Sequence, residues 1–155
     1  MNSKTHVHSE SGKQTILISR EFDLPIDLLF RAYTEAEIVE QWMGTKVVKL
    51  ENQNHGGFHF ITTDPAGNEH AFNGVIHEIL PGQKITRTFE MENSTLPPQM
   101  EYLEFEKTSE VTSKLHMLMV FKSVEFRDQL LKMPFARGIN MAHNRLQEIM
   151  KKQTI

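Results

Sequence analysis

A helical stripe near the C-terminus constrains the fold of this chain more than any other stretch. Phe135, Ile139, Ala142, Leu146, Ile149 and Gln153 recur at alternating steps of four and three, one face of a 3.6-residue helix. Arg137, Asn140, Asn144, Gln147, Glu148 and Lys151 fill the other faces. The spacing predicts a helix over Phe135–Lys152, roughly 27 Å long at the usual rise per residue. An amphipathic helix of that length must lay its apolar face on a large partner. The partner on offer is the middle of the chain, which reads as strands.

That middle is a succession of alternating apolar segments separated by turn residues. Thr15–Phe22 alternates, with Ile16, Ile18, Arg20 and Phe22 on one face and Leu17, Ser19 and Glu21 on the other. Lys46–Glu51, Phe58–Thr63, Glu69–Leu80, Lys84–Met91, Met100–Glu106 and Ser113–Phe121 follow as strands. Asp64-Pro65-Ala66-Gly67-Asn68 and Pro81-Gly82 supply turn chemistry between them. Short turns between consecutive strands predict an antiparallel meander. Pro25 stands where a helix begins, and Ile26, Leu29, Phe30 and Tyr33 give it helical spacing. Thr34-Glu35-Ala36-Glu37 fits a capping box and predicts a second short helix ending at Gly44. Ser123 is placed to cap a helix to about Lys132, which Pro134 separates from the long one. The order predicts an α+β fold with helices on one side of an antiparallel sheet. It forms one domain over residues 15–152, preceded by a flexible tail over residues 1–14.

Composition narrows the function classes. A formal charge of −3 argues against a nucleic-acid binder. The absence of cysteine removes disulfides, thiolate catalysis and cysteine-ligated zinc. No apolar run reaches the length of a membrane span, and the polar N-terminus lacks the apolar core of a signal peptide. A cytoplasmic location is expected. Eight histidines show no His-Glu-x-x-His or comparable spacing, so no metal site is expected, and no motif implies a cofactor. No catalytic motif is present either.

A set of motifs in fixed order resembles the activator of heat-shock protein 90 ATPase homologue-like family, within the START-like (SRPBCC) superfamily. The set begins with Arg20-Glu21-Phe22-Asp23-Leu24-Pro25, Phe30-Arg31-Ala32-Tyr33-Thr34 and Gln41-Trp42. It continues with Gly56-Gly57-Phe58-His59-Phe60, Asp64-Pro65-Ala66-Gly67-Asn68 and Phe72-Asn73-Gly74-Val75-Ile76-His77-Glu78-Ile79. Pro81, Thr88-Phe89, Gly138 and Arg145-Leu146 complete it. The resemblance implies a helix-grip fold, in which a curved antiparallel sheet wraps the long C-terminal helix, with two short helices after the first strand. It also implies a deep apolar cavity between sheet and helix. Three positions depart from the pattern: Met43 and Ile139 stand where aromatic residues are frequent, and Arg87 where an apolar or aromatic one is.

The residues expected to line such a cavity are Trp42, Phe60, Phe72, Arg87, Phe89, Tyr102, Met117, Met119, Phe135, Ile139 and His143. Gly138 and Ala142 flank the last two. The methionines suit a surface of variable shape. Arg87 shares strand parity with Ile85, Phe89 and Met91; it points outward or, where that face is internal, needs a counter-charge. Either Glu78 or Glu104 pairs with it, or it holds the acidic head of a ligand. His143 borders the helical stripe and is either a half-exposed helix residue or a hydrogen-bonding group in the cavity.

Three functions fit. The first is binding of a small lipophilic molecule, with or without an acidic group. The second is a co-chaperone-type interaction module, which the family name links to chaperone partners and stress response and which requires an exposed apolar patch. The third is a cyclase- or hydrolase-like enzyme, which requires His143, Arg87 and Glu104 to converge. A homodimer is compatible with the sequence, and nothing in it fixes the oligomeric state.

Overall fold

The computed structural model describes residues 3–154. An edge strand β1 (His6–His8) is followed by β2 (Thr15–Phe22) and the helices α1 (Ile26–Thr34) and α2 (Ala36–Met43). Six strands come next: β3 (Lys46–Leu50), β4 (Gly57–Thr63), β5 (Glu69–Leu80), β6 (Lys84–Met91), β7 (Gln99–Lys107) and β8 (Ser113–Val120). Helices α3 (Val124–Lys132) and α4 (Phe135–Lys151) close the chain, with a 3-10 turn at Lys152–Thr154.

The strands form one antiparallel sheet in the order β1-β2-β8-β7-β6-β5-β4-β3. β3 to β8 form the expected meander. β2 joins it by pairing with the last strand, Thr15 opposite Val120 through Phe22 opposite Ser113. Register shifts lie between Ile76 and Glu78 in β5 and between Val47 and Lys49 in β3, and such irregularities increase local twist. The helices lie on one face of this α+β sheet, and α4 spans it.

The signals at the helix ends mostly act as their chemistry dictates. Gly44 ends α2 in the left-handed region at φ 63°. Ser123 caps α3 by accepting from the Phe126 N–H. Pro134 stands between α3 and α4. The capping box does not form. Glu35, not Thr34, is the N-cap of α2, and it makes no side-chain cap. The Thr34 hydroxyl instead donates back to the Phe30 carbonyl at 3.2 Å.

Two expectations are corrected. The segment ahead of β2 does not behave as a flexible tail over its described part. His6–His8 pairs with β2, opposite Leu17–Ser19, and Thr5 is buried. Residues 1–2 lie outside the described residues. Unpaired backbone groups at the edge of β2 are what this short segment satisfies. The α4 stripe is also centred differently. His143, Leu146 and Met150 are its buried residues, whereas Ile149 is half-buried and Gln153 exposed.

The core gathers Ile16, Ile18 and Phe22 of β2, Leu29, Phe30 and Tyr33 of α1, Leu103 and Phe105 of β7, Leu115 of β8 and Leu146 and Met150 of α4. Trp42 fastens α2 to α1 by donating its indole N–H to the Ala32 carbonyl at 2.7 Å. Arg145 of α4 then donates to the Trp42 carbonyl at 3.1 Å.

Candidate functional site

Period-two alternation decides which strand residues reach the space under α4. In β7, Glu101, Leu103 and Phe105 point inward and Tyr102, Glu104 and Glu106 outward. In β8, Met117 and Met119 point inward. In β6 the inward set includes Arg87.

These residues and the N-terminal half of α4 border a half-open cavity of about 420 Å³. Phe72, Phe89, Met91, Met117 and Met119 line its sheet side, and Phe135, Ile139, Ala142 and His143 its helix side. Tyr33, Trp42 and Met43 close it from α1 and α2, and Leu96, Pro97, Leu130 and Met133 from the β6–β7 loop and α3. Polar groups are few: Tyr33, Arg87, Gln99, Glu101 and His143.

Of the residues expected from sequence, Trp42, Phe72, Arg87, Phe89, Met117, Met119, Phe135, Ile139 and His143 lie on this wall. Phe60 and Tyr102 do not. Phe60 is buried in the core with its ring 5.1 Å from that of Phe58. Tyr102 is on the outer face of the sheet and 40% exposed, because Leu103 and Phe105 claim the inner parity of β7. Gly138 is exposed on the far side of α4. Tyr33, Gln99 and Glu101 were not singled out from sequence. The signal for Glu101 is its parity with Leu103 and Phe105. That for Tyr33 is its helical spacing from Leu29 and Phe30, which reads equally well as plain core.

Arg87 is compensated within the protein. Its Nε donates to Glu101 Oε1 at 2.9 Å, from the residue directly opposite in the β6–β7 register. The neighbouring Gln99 donates to the second carboxylate oxygen at 2.8 Å. The guanidinium carbon also sits 5.3 Å from the Phe58 ring centre and 5.6 Å from that of Phe89, a favourable position for a cation. The expected partners are otherwise engaged: Glu78 pairs with Lys84 at 2.8 Å, and Glu104 faces outward. Buried pairs of this kind contribute little net stability, but removing one partner costs about 3–5 kcal/mol.

His143 is 1% exposed, so it is not a half-exposed helix residue. Its Nδ1 lies 2.6 Å from Thr5 Oγ1, and its Nε2 lies 3.5 Å from the Tyr33 hydroxyl. Phe22 meets the ring edge-on at 5.5 Å. Burial, and secondarily the charge of Arg20, push its pKa down to about 3, so the imidazole is neutral at neutral pH. Burial likewise raises the Tyr33 phenol far above its ordinary value. The cavity thus carries one internal ion pair and three neutral hydrogen-bonding side chains, Tyr33, Gln99 and His143.

The family described as "Activator of Hsp90 ATPase homolog 1-like protein" matches residues 23–151. The chain belongs to this family. The fold agrees with solved structures of low sequence identity. A protein of Mycobacterium smegmatis superposes with a TM-score of 0.85 at 20% identity, covering 94% of this chain and 96% of that one. A protein of Rhodobacter sphaeroides gives 0.86 at 16% identity, covering 96% and 99%. A solution structure from Arthrobacter aurescens gives 0.85 at 14%, covering 95% and 91%. No curated protein matches the chain. At such identities the agreement concerns fold alone, which is the helix-grip arrangement of a curved antiparallel sheet around a C-terminal helix. Function within such a fold has to be argued from the site.

Proposed function

We propose that this member of the family binds a small, largely apolar molecule in the cavity between the sheet and α4. One observation carries the reading: about 420 Å³ of space whose walls are phenylalanine, methionine, leucine and isoleucine, with a handful of polar groups. Pockets for small molecules typically measure roughly 300–1,000 Å³ and combine an apolar lining with few polar anchors. The Arg87–Glu101 pair supplies a reason for a neutral occupant, because the guanidinium that would have held an acidic head already has its counter-charge. Among the described residues no helix is long and apolar enough to cross a membrane.

Catalysis draws less support. Glu104, required to converge with His143 and Arg87, lies on the opposite face of the sheet from both. A histidine with a pKa of about 3 is also a weak general base at neutral pH. A protein-interaction role has one observation in its favour. Leu17, Leu118 and Tyr102 are register partners on the outer face, and Leu17 and Tyr102 are 49% and 40% exposed.

Native mass spectrometry of the gently purified chain, with titration by 1-anilinonaphthalene-8-sulfonate and by neutral naphthalene dyes, tests the binding reading. A co-purifying small molecule, or micromolar binding that Ile139→Trp abolishes while Leu17→Lys does not, is the expected result. Binding lost through Leu17→Lys and retained in Ile139→Trp would move the site to the outer face of the sheet.

A further inference from the structure

Directly behind the cavity wall lies a group of polar side chains that binding of an apolar molecule does not itself require. Arg20 points inward from β2 and is 2% exposed, yet no carboxylate among the described residues pairs with it. Its Nη1 donates to Thr5 Oγ1 and to Asn140 Oδ1, each at 3.3 Å, and its Nε has no partner. Thr5 is 4% exposed. Its backbone N–H donates to Asn140 Oδ1 at 2.9 Å, and its hydroxyl stands 2.6 Å from His143 Nδ1.

Counting hydrogens fixes the direction of that last bond. A threonine hydroxyl has one hydrogen and two lone pairs, and a guanidinium only donates. Thr5 Oγ1 therefore accepts from Arg20. Were Nδ1 protonated, both lone pairs would be taken, and the Thr5 hydrogen would be buried with no acceptor. A stranded group of that kind is costly. With Nδ1 bare, Thr5 donates to it, and both the hydroxyl and Nδ1 are satisfied. The proton of the neutral imidazole then sits on Nε2, the nitrogen that faces Tyr33 on the cavity wall.

We infer that Thr5 and Arg20 are positioning residues that hold His143 as its Nε2–H tautomer. On the binding reading above, the occupant is then an uncharged lipophile whose carbonyl oxygen, of ketone or ester type, accepts from the Tyr33 hydroxyl. His143 Nε2–H donates to the Tyr33 oxygen, which leaves the phenol hydrogen for the cavity. Its one lining carboxylate, Glu101, already accepts from Arg87 and Gln99. A carboxylate ligand would be desolvated beside Glu101, with Arg87 already paired. Thr5 lies outside the residues 23–151 matched by the family, whereas His143 and Tyr33 lie inside them.

Two measurements on the full chain test this. Long-range proton–nitrogen correlation, with His143 assigned by its loss in His143→Gln, is expected to show a pyridine-type Nδ1 and a pyrrole-type Nε2. The reverse assignment overturns the inference without any variant at Thr5. Binding is then read with three 2-dimethylaminonaphthalenes carrying propionyl, propyl or carboxylate at position 6. The ketone is expected to bind about tenfold tighter than either of the others, the value of one good hydrogen bond. Thr5→Val should bring the ketone to within about twofold of the propyl probe and leave the latter unchanged, while Thr5→Ser restores the difference. Equal binding of ketone and propyl probes, or tightest binding of the carboxylate, overturns the inference and leaves the cavity reading standing. Failure of all three to bind removes both.

Discussion

The two ends of the space beneath α4 are built from the same elements and have opposite outcomes. Toward the C-terminus of α4, Leu146 and Met150 meet Leu29, Leu103 and Leu115, all 0% exposed. Toward its N-terminus, Phe135, Ile139 and Ala142 face Phe72, Phe89, Met117 and Met119 across open volume. The strands β7 and β8 run through both ends, so secondary structure does not separate them. Side-chain choice and the helices do. At the closed end α1 lays Leu29 and Phe30 into the groove. At the open end the cover is a loop and the corner between α3 and α4, with Met133 48% exposed. One end holds the fold together, and the other is left free to be occupied.

The sharpest way to break that contrast is to delete the same volume from each end. Leu146→Ala removes buried methyl groups from close-packed surroundings and is expected to cost about 3–5 kcal/mol of unfolding free energy. Ile139→Ala removes as many carbons from a side chain that already borders empty space, so it leaves little new cavity and is expected to cost under about 1.5 kcal/mol. Urea unfolding of both variants checks this. Similar losses would mean that the open end contributes as much packing as the closed one.

The contrast also explains what could be read from the sequence. Turn residues and alternation placed every strand of the meander within a residue or two, because Asp64–Asn68, Pro81-Gly82 and the Leu103/Phe105 parity are local signals. The stripe of α4 was legible as a stripe but not in its centre. Met150 and His143 are buried only because β2, α1 and the segment ahead of β1 converge on them, and that convergence is tertiary. Tyr102 was misplaced because an aromatic in a strand beside Leu103 suggests a core anchor. The stronger signal was the pair of apolar residues on the opposite parity. Glu101 was missed because the Arg87–Glu101 contact depends on cross-strand register, which sequence spacing alone leaves free by one or two residues. The role of Thr5 had no sequence signal: a lone threonine in a polar stretch acquires meaning only when β1 pairs with β2 and delivers it to α4.

His143 stands at the junction of the two ends, and pH tests whether it belongs to the sealed one. An ordinary histidine in the unfolded chain titrates near 6.5. In the folded chain proton uptake is held down to about pH 3. Between those values the unfolded chain binds the extra proton. The stabilisation is therefore fully present above about pH 6.5 and is lost as pH falls toward 3. The slope approaches about 1.4 kcal/mol per pH unit, so lowering pH from 6 to 4 should remove about 2 kcal/mol through this residue. Denaturant unfolding of the wild type and His143→Gln across that range should show curves that converge by about this amount as pH drops. Parallel curves would mean that water reaches the imidazole and that the closed end is leaky there.

The finest test adds volume in place of removing it. Ala32 of α1 is 0% exposed, with its carbonyl held by the Trp42 indole. A leucine at Ala32 has to displace packed neighbours, and Ala32→Leu is expected to cost about 1–3 kcal/mol. Ala142 lies on α4 one turn from Leu146 but on the cavity wall, so Ala142→Leu extends into space that is already there. Its stability should stay within about 0.5 kcal/mol of the wild type, while the propyl naphthalene probe loses its site. The two substitutions are chemically identical, so thermal unfolding and probe titration together isolate the difference between the ends. A large stability loss at Ala142 would show that the cavity wall is under the same packing constraint as the closed end. Undiminished probe binding by a stable Ala142→Leu would place the ligand elsewhere on the molecule.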